Sequence, residues 1–238
     1  MACGFSHVME VNAMPKKTEP KDTQSTQPEQ VKQVHISDIH PFKNHPFKVV
    51  DDALMQETVD SIMQFGVLNP TIIRPDPGGG YEMVAGHRRL HASGLAGKDT
   101  IPAIVRNLTD DEAVILLVDT NLQRENISPM ERAQAYKMKM EALKHQGQRT
   151  DLTSTQVGRK LETAEIIAQQ TGESKNQVRR FVRLTELVPE LQTMVDKNEL
   201  AFNPAVELSY LKPEEQKGVL DAMEYSQNTP SLSQAQRL

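Results

Sequence analysis

The chain has 238 residues, 37% of them hydrophobic and 25% charged, with 4% aromatic and no Trp, which supports one large or two small aliphatic, helix-rich cores. Its single cysteine, Cys3, excludes an internal disulfide framework and a cysteine-based zinc site, and no run approaches the ~20 apolar residues of a bilayer span. The net charge of −5 excludes a uniformly basic polyanion binder, yet Arg132 to Arg183 holds eleven Lys/Arg against five Asp/Glu, so a local positive segment sits in an acidic chain.

The opening segment MACGFSHVMEVNAMPKK lacks a basic start followed by an apolar stretch. No secretory signal is read there, and a cytoplasmic location is expected. Residues 1–33 are rich in Lys, Thr, Gln, Glu and Pro; they lack the apolar groups that offset the entropy of ordering, so a disordered tail is expected, with Met14 as an alternative start. Val34, Ile36 and Ile39 predict a short strand and turn. In DDALMQETVDSIMQFG, Leu54, Thr58, Ile62 and Phe65 recur at spacings of three and four, which predicts a helix closed by Gly66. TIIRP, DPGGG and YEMVAG read as strand, turn and strand. HRRLHASGLAG starts a helix directly after Gly86, IPAIVRNL is a strand, and DDEAVILLVDTNLQRE is helical. SPMERAQAYKMKMEALKHQG is a further helix, with Ser128 as N-cap, Pro129 at N1 and Glu131 at N3. The expected organisation is an α+β domain over 34–126 followed by an all-helical domain over 127–238.

Within the helical part, TAEIIAQQTGESKNQVRRFVRLTEL places Ile166, Ile167 and Ala168 on a short helix and Gly172 four residues after the alanine. Ser174 caps a second helix that turns Val178, Phe181 and Val182 inward. This is the helix-turn-helix pattern, spanning about 162–185: the small residue lets the helices approach and the glycine permits the sharp turn. Ser174, Lys175, Asn176, Gln177, Arg179, Arg180 and Arg183 flank the apolar side of the second helix. Such residues reach base edges or phosphates in a DNA groove; the alternative is an ordinary helix pair with a solvated basic face.

Two further clusters carry chemistry. AGHRR sits between a strand and a helix, where free backbone N–H groups follow a glycine and two arginines add forked donors, an arrangement suited to phosphate. No GxxxxGK[ST] occurs, so this is not a P-loop. His87 and His91 are four apart, but the stretch HRRLH lacks the glutamate of HExxH and has no evident third ligand. In TNLQRENISP, Asn121, Arg124 and Glu125 fall on one face of a helix end. They suit a nucleotide and its Mg²⁺, or merely stabilise the helix end.

The order of GVLNPTIIR, GGGYEMVAGHRRLHA, TNLQRENISPMERAQAY and the helix-turn-helix resembles the ParB-type DNA partition family over about residues 34–210, in wording closest to ParB-like proteins of Gram-positive bacteria and their mobile elements. The resemblance implies a ParB/sulfiredoxin-like first domain that binds CTP with Mg²⁺, and a helical domain that binds a palindromic centromere-like site on double-stranded DNA. It also implies self-association into a sliding clamp, with a ParA-type ATPase as partner. Carried over by motif, Asn69, Pro70 and Thr71 border the nucleotide, and Gly86, His87, Arg88 and Arg89 hold its triphosphate. Asn121, Arg124 and Glu125 lie near phosphates, with Asn121 and Glu125 toward the metal. Three positions depart from the pattern. G-E-R-R reads G-H-R-R at His87, the E-N-x-Q-R-E box begins with Thr120, and the upstream N-P-x-Q-P-R element reads HPFKVV, with Lys48 in place of glutamine. Phosphate-binding arginines are kept while groups that place metal or water are changed, so CTP binding with weak hydrolysis is expected. Sulfiredoxins use a catalytic cysteine at this turn, and none stands here; ParB-fold kinases and nucleases, and a plain helix-turn-helix transcription regulator, are the remaining alternatives. The chain ends on TPSLSQAQRL, where Ser231 or Ser233 caps a helix scarcely begun, so a longer protein with a C-terminal dimerisation segment is expected.

Overall fold

The computed structural model describes residues 30–124, 127–150 and 162–238; residues 1–29 of the expected tail lie outside them. Strand β1 is Val31–His35, followed by a 3-10 turn at Ile36–Asp38 and the short strand β2, Ile39–His40. β1 begins inside the stretch expected as tail, because Val31, Lys32 and Gln33 pair through their backbones with Ile104, Ala103 and Pro102. Only Val34 of this strand is buried, so its pairing leaves little trace in hydropathy.

Helix α1, Ala53–Phe65, is capped by Asp52, whose carboxylate accepts from the Met55 N–H at 2.8 Å. Gly66 closes it at φ 72°, donating to the Ile62 carbonyl at 2.9 Å. Met55, Val59 and Ile62 are buried, whereas Leu54 and Phe65 are 56% and 67% exposed. The expected apolar stripe is thus displaced by about one position. This helix has apolar residues on two faces, and Ala92 of the next helix selects the Met55–Val59–Ile62 face.

Strands β3 (Thr71–Pro75), β4 (Tyr81–Ala85) and β5 (Thr100–Val105) complete a sheet of order β1-β5-β3-β4-β2, with helix α2 (His87–Leu95) between β4 and β5. β3 runs antiparallel to β4 and parallel to β5, so the start of β3 lies beside the end of β4. This topology brings Thr71 against Gly86. Helix α3, Asp110–Leu122, opens with a Thr109–Glu112 capping box and buries Ala113, Leu117 and Val118 against Val84, Phe42 and Phe47.

The helical half comprises α4 (Pro129–Thr150), α5 (Thr163–Thr171), α6 (Lys175–Leu184), α7 (Pro189–Asp196), α8 (Phe202–Leu208), α9 (Pro213–Ser226) and the single turn α10 (Leu232–Ala235). Ser128 and Glu131 form the expected reciprocal cap of α4, with the Glu131 N–H donating to Ser128 Oγ at 3.2 Å. Ser231, rather than Ser233, caps α10. The α+β arrangement followed by helices matches the expected fold class. Helix α4 serves two cores. Ala135 and Met138 join the α3 cluster, while Met130, Ala133 and Tyr136 join the cluster around α5 and α6.

Candidate functional site

Gly86 is the N-cap of α2 at φ 113°, ψ 24°, a left-handed conformation open to glycine at little cost. A Cβ there would lie 2.6 Å from Thr71 Cγ2. Thr71 is fully buried and its hydroxyl donates to the Pro102 carbonyl at 3.2 Å, so it cannot retreat freely. The first N–H groups of α2 have no partner within the helix. The residues of this turn, Gly86 to Arg89, line a cavity of about 270 Å³ that Asn121 and Arg124 also line. Backbone donors and guanidinium groups around one cavity are equipped to hold an oxyanion.

The two arginines are held differently. Arg88 donates to Asp52 Oδ1 at 3.1 Å, and this contact lowers the Asp52 pKa. Arg89 donates to the carbonyl oxygens of Asn69 and of Pro70, the latter at 2.8 Å. Burial lowers its pKa, and among the described residues it has no carboxylate partner. Asn69, Pro70 and Thr71 therefore meet the Gly86–Arg89 turn, through backbone carbonyls and a threonine methyl. A second cavity, of about 770 Å³, lies on the α1 side of these arginines and includes Lys48, Asp52 and Asn69 in its wall.

The end of α3 approaches the same arginines. Asn121 donates through Nδ2 to the Leu117 carbonyl at 2.8 Å and accepts from Arg124 Nη1 at 3.4 Å. Thr120 spends its hydroxyl on the Leu116 and Leu117 carbonyls. Glu125 lies outside the described residues. Among the described residues no group of three or more His, Cys, Asp or Glu is arranged to hold a metal ion. His91 turns away from His87 to contact Asp51 at 2.7 Å. Lys48 contributes its backbone, donating to Glu131 Oε1 at 2.9 Å, which ties the loop before α1 to the start of α4.

His87 is packed against a residue that sequence reasoning missed. The His45 and His87 rings stack at 3.8 Å between centroids, tilted by 48°. Burial, with His45 beside it, pushes the His87 pKa down to about 3; burial also lowers that of His45. Both line the smaller cavity, and Nε2 of each is buried without a hydrogen-bond partner among the described residues. His45 lies 42 positions before His87 in an irregular loop, so no periodicity links them. The signal for it is its place at the head of HPFKVV, where the N-P-x-Q-P-R element begins with Asn.

The second candidate surface is the α5–α6 pair. Gly172 takes φ 74° between the helices, and a Cβ added there would meet nothing within 4 Å, so conformation alone requires the glycine. Ser174 Oγ accepts from the Gln177 N–H at 3.1 Å, the expected cap. Ala164, Ile167 and Ala168 pack in one cluster with Val178, Phe181 and Leu184. The basic residues divide by environment. Lys175 and Arg179 both pair with Glu162, holding its pKa low, and Asn176 is exposed beside them. Gln177 is half-buried. Arg180 donates to Asn203 Oδ1 at 2.5 Å and lies over the Phe202 ring. Arg183 donates to the Ser209 carbonyl at 2.6 Å and lies 4.4 Å from the Tyr210 ring centre. The last two brace α8; Lys175, Asn176 and Arg179 form the accessible rim.

Comparison with known proteins places this geometry among relatives. A family model of the ParB N-terminal domain matches residues 20–122, and one of the ParB HTH domain matches residues 159–229. The chromosome-partitioning protein Spo0J of Thermus thermophilus is 37% identical over 161 residues, covering 68% of this chain and 53% of that protein. The stage 0 sporulation protein J of Bacillus subtilis is 36% identical over 165 residues, covering 69% and 52%. The chain thus spans about half the length of these curated relatives. In fold it is similar to a C-terminally truncated chromosome-partitioning protein ParB from Caulobacter crescentus, solved in complex with the centromeric parS site. That match has a TM-score of 0.51 at 24% identity and covers 87% of this chain and 97% of the other. A Pnob8-like ParB-N domain gives a TM-score of 0.52 at 16% identity, covering 82% and 84%.

Proposed function

Because this chain belongs to the ParB family of partition proteins, we propose that it is a CTP-dependent, sequence-specific DNA-binding protein acting in plasmid or chromosome partition. The observation that carries the nucleotide half is the Gly86 turn. A left-handed glycine with no room for a Cβ leads into a helix start, where two arginines and free N–H groups share one cavity. These residues fit a triphosphate. The backbone donors and Arg88 bind it, and Arg89 stiffens the wall by clasping Asn69 and Pro70. A phosphate competes with Asp52 for Arg88. Asn121 and Glu125 would hold Mg²⁺ together with the phosphates, and the ion would supply electrostatic stabilisation of their charge.

The α5–α6 pair supports the DNA half. Asn176, Gln177 and Arg179 at the start of α6 suit a major groove, while Lys175 contacts a phosphate once released from Glu162. A palindromic site on double-stranded DNA recruits two protomers, and nucleotide closes them into a clamp. A ParA-type ATPase moves the cargo, and the protein works in the cytoplasm on DNA. Hydrolysis is slow, since His87 and Thr120 stand where the family pattern has carboxylates and neither supplies negative charge near Mg²⁺.

The test is calorimetric binding of CTP, ATP and GTP, each with and without a palindromic duplex. CTP-selective binding that the duplex strengthens, lost in Arg88→Ala, is expected. Preference for ATP, or no nucleotide binding, overturns the nucleotide half and leaves a plain DNA-binding regulator.

A further inference from the structure

We propose that His45 is a further residue of the phosphate site, one that binds the entering polyphosphate by taking up a proton. The inference rests on the nucleotide reading above and deepens it. His45 Nδ1 stands 2.6 Å from the Phe47 carbonyl oxygen. A carbonyl oxygen only accepts, so Nδ1 carries the hydrogen. The neutral ring then has a bare lone pair at Nε2. That atom is covered in the free protein and unpartnered among the described residues, in a side chain lining the cavity that Gly86, Arg88 and Arg89 also line, so an entering oxygen reaches it when the neighbouring His87 ring, 3.8 Å away, gives way.

A phosphate oxygen brings lone pairs of its own. Against neutral His45 it meets an acceptor, which repels it. Against the imidazolium it meets an N–H donor and a positive charge. Binding at Nε2 therefore requires protonation there: a proton leaves solvent or buffer, forms the Nε2–H bond, and the ring becomes a cation. His87 needs no such step. No ring hydrogen bond fixes its tautomer among the described residues, so it can present Nε2–H while neutral.

The charges around His45 explain why the proton arrives with the ligand. Its own loop gives the Phe47 carbonyl, which favours the cation. From α2 come His87, Arg88 and Arg89; from the end of α3 comes Arg124; from α4 comes Glu131. Burial is the largest influence and Arg124 adds to it, so the free ring is held neutral below the ordinary histidine range; the Phe47 carbonyl and Glu131 oppose this only in part. A polyphosphate neutralises the arginines and reverses the balance. The sign follows: the bound-state pKa is raised above the free one, so affinity is greatest below the free pKa and falls as pH rises between the two.

Calorimetry of CTP binding to the full chain near neutral pH, in two buffers of different ionisation enthalpy, counts the protons. The parent chain is expected to take up about one proton more than His45→Gln, and its affinity relative to that variant to fall about tenfold per pH unit within the window. His87→Gln is expected to keep the uptake. Binding by the parent with no net uptake, or uptake unchanged in His45→Gln or lost only in His87→Gln, overturns the inference while leaving the nucleotide reading intact. Absence of any CTP binding by the parent overturns both.

Discussion

Gly86 and His87 are adjacent but shaped by different constraints: close packing leaves Gly86 no room for a side chain, while burial holds the His87 ring neutral. The role of Gly86 follows from its place between an alternating apolar run and a helix start, and the structure adds the Thr71 methyl that leaves no room for a side chain. Gly86→Ala is expected to destabilise the chain by about 1–3 kcal/mol, from backbone strain and overpacking, and to abolish nucleotide binding. Gly79→Ala is the control: it shares a positive φ, 100°, but meets nothing within 4 Å, so it should cost about 1–2 kcal/mol, from strain alone, and leave nucleotide binding unchanged. Thermal melts and CTP titrations compare the two; equal effects would rule out close packing as the cause. His87 was legible as a departure from the family pattern, but its state was not. Burial against His45 keeps it neutral, its pKa pushed down to about 3, so in the free protein it adds no charge to the cavity. Purified protein is therefore expected to release phosphate from CTP slowly; rapid release that Arg88→Ala abolishes would overturn this.

Periodicity marks a segment as a helix but does not always select the face that turns inward. In α1 the spacing of Leu54, Thr58, Ile62 and Phe65 competes with that of Met55, Val59 and Ile62, and periodicity cannot choose between stripes sharing a residue. The choice falls to Ala92 across the interface, which is tertiary information. A similar limit applies to α6. The sequence groups Arg179, Arg180 and Arg183 as one basic set, whereas in the structure Arg183 acts internally, clasping the Ser209 carbonyl and covering Tyr210. Arg179→Ala is expected to weaken DNA binding across sequences and to reduce the slope of log affinity against log salt by about one, with stability within about 0.5 kcal/mol of the parent. Arg183→Ala is expected to lower stability by about 1–3 kcal/mol, through a lost carbonyl bond and a lost ring contact. A variant at Arg183 that melts like the parent yet no longer binds DNA would return that arginine to the DNA surface.

At the scale of the whole molecule, α4 joins the two halves, and Lys139 is a buried charge at which they meet. Its side chain is 1% exposed, and its ammonium donates to Asp119 of α3 and to Gln170 of α5. A helical pattern marks such a lysine as surface, because nothing in its own segment announces a carboxylate 20 positions earlier and an amide 31 positions later. Asp119 lies two residues before Asn121, in the segment that borders the Gly86 cavity; Gln170 belongs to the first helix of the α5–α6 pair. Motion of either partner is thus felt at a single buried charge, which tolerates separation from its acceptors poorly. Lys139→Met keeps the stem's volume and removes the charge, leaving Asp119, 41% exposed at its side chain, free to hydrate. Each ligand alone should then bind about as in the parent. What should fall is the mutual effect: stimulation of CTP binding by a palindromic duplex, typically about 5–150-fold for coupled sites, should drop toward none, and by linkage the effect of CTP on duplex affinity should drop by the same factor. Measuring both directions in one variant makes the test strict. Stimulation that survives Lys139→Met would assign the coupling to other ties between the halves, among them the Lys48–Glu131 and His145–Asp111 contacts, whereas weakened binding of either ligand alone would mean that the substitution had damaged a site instead of the link.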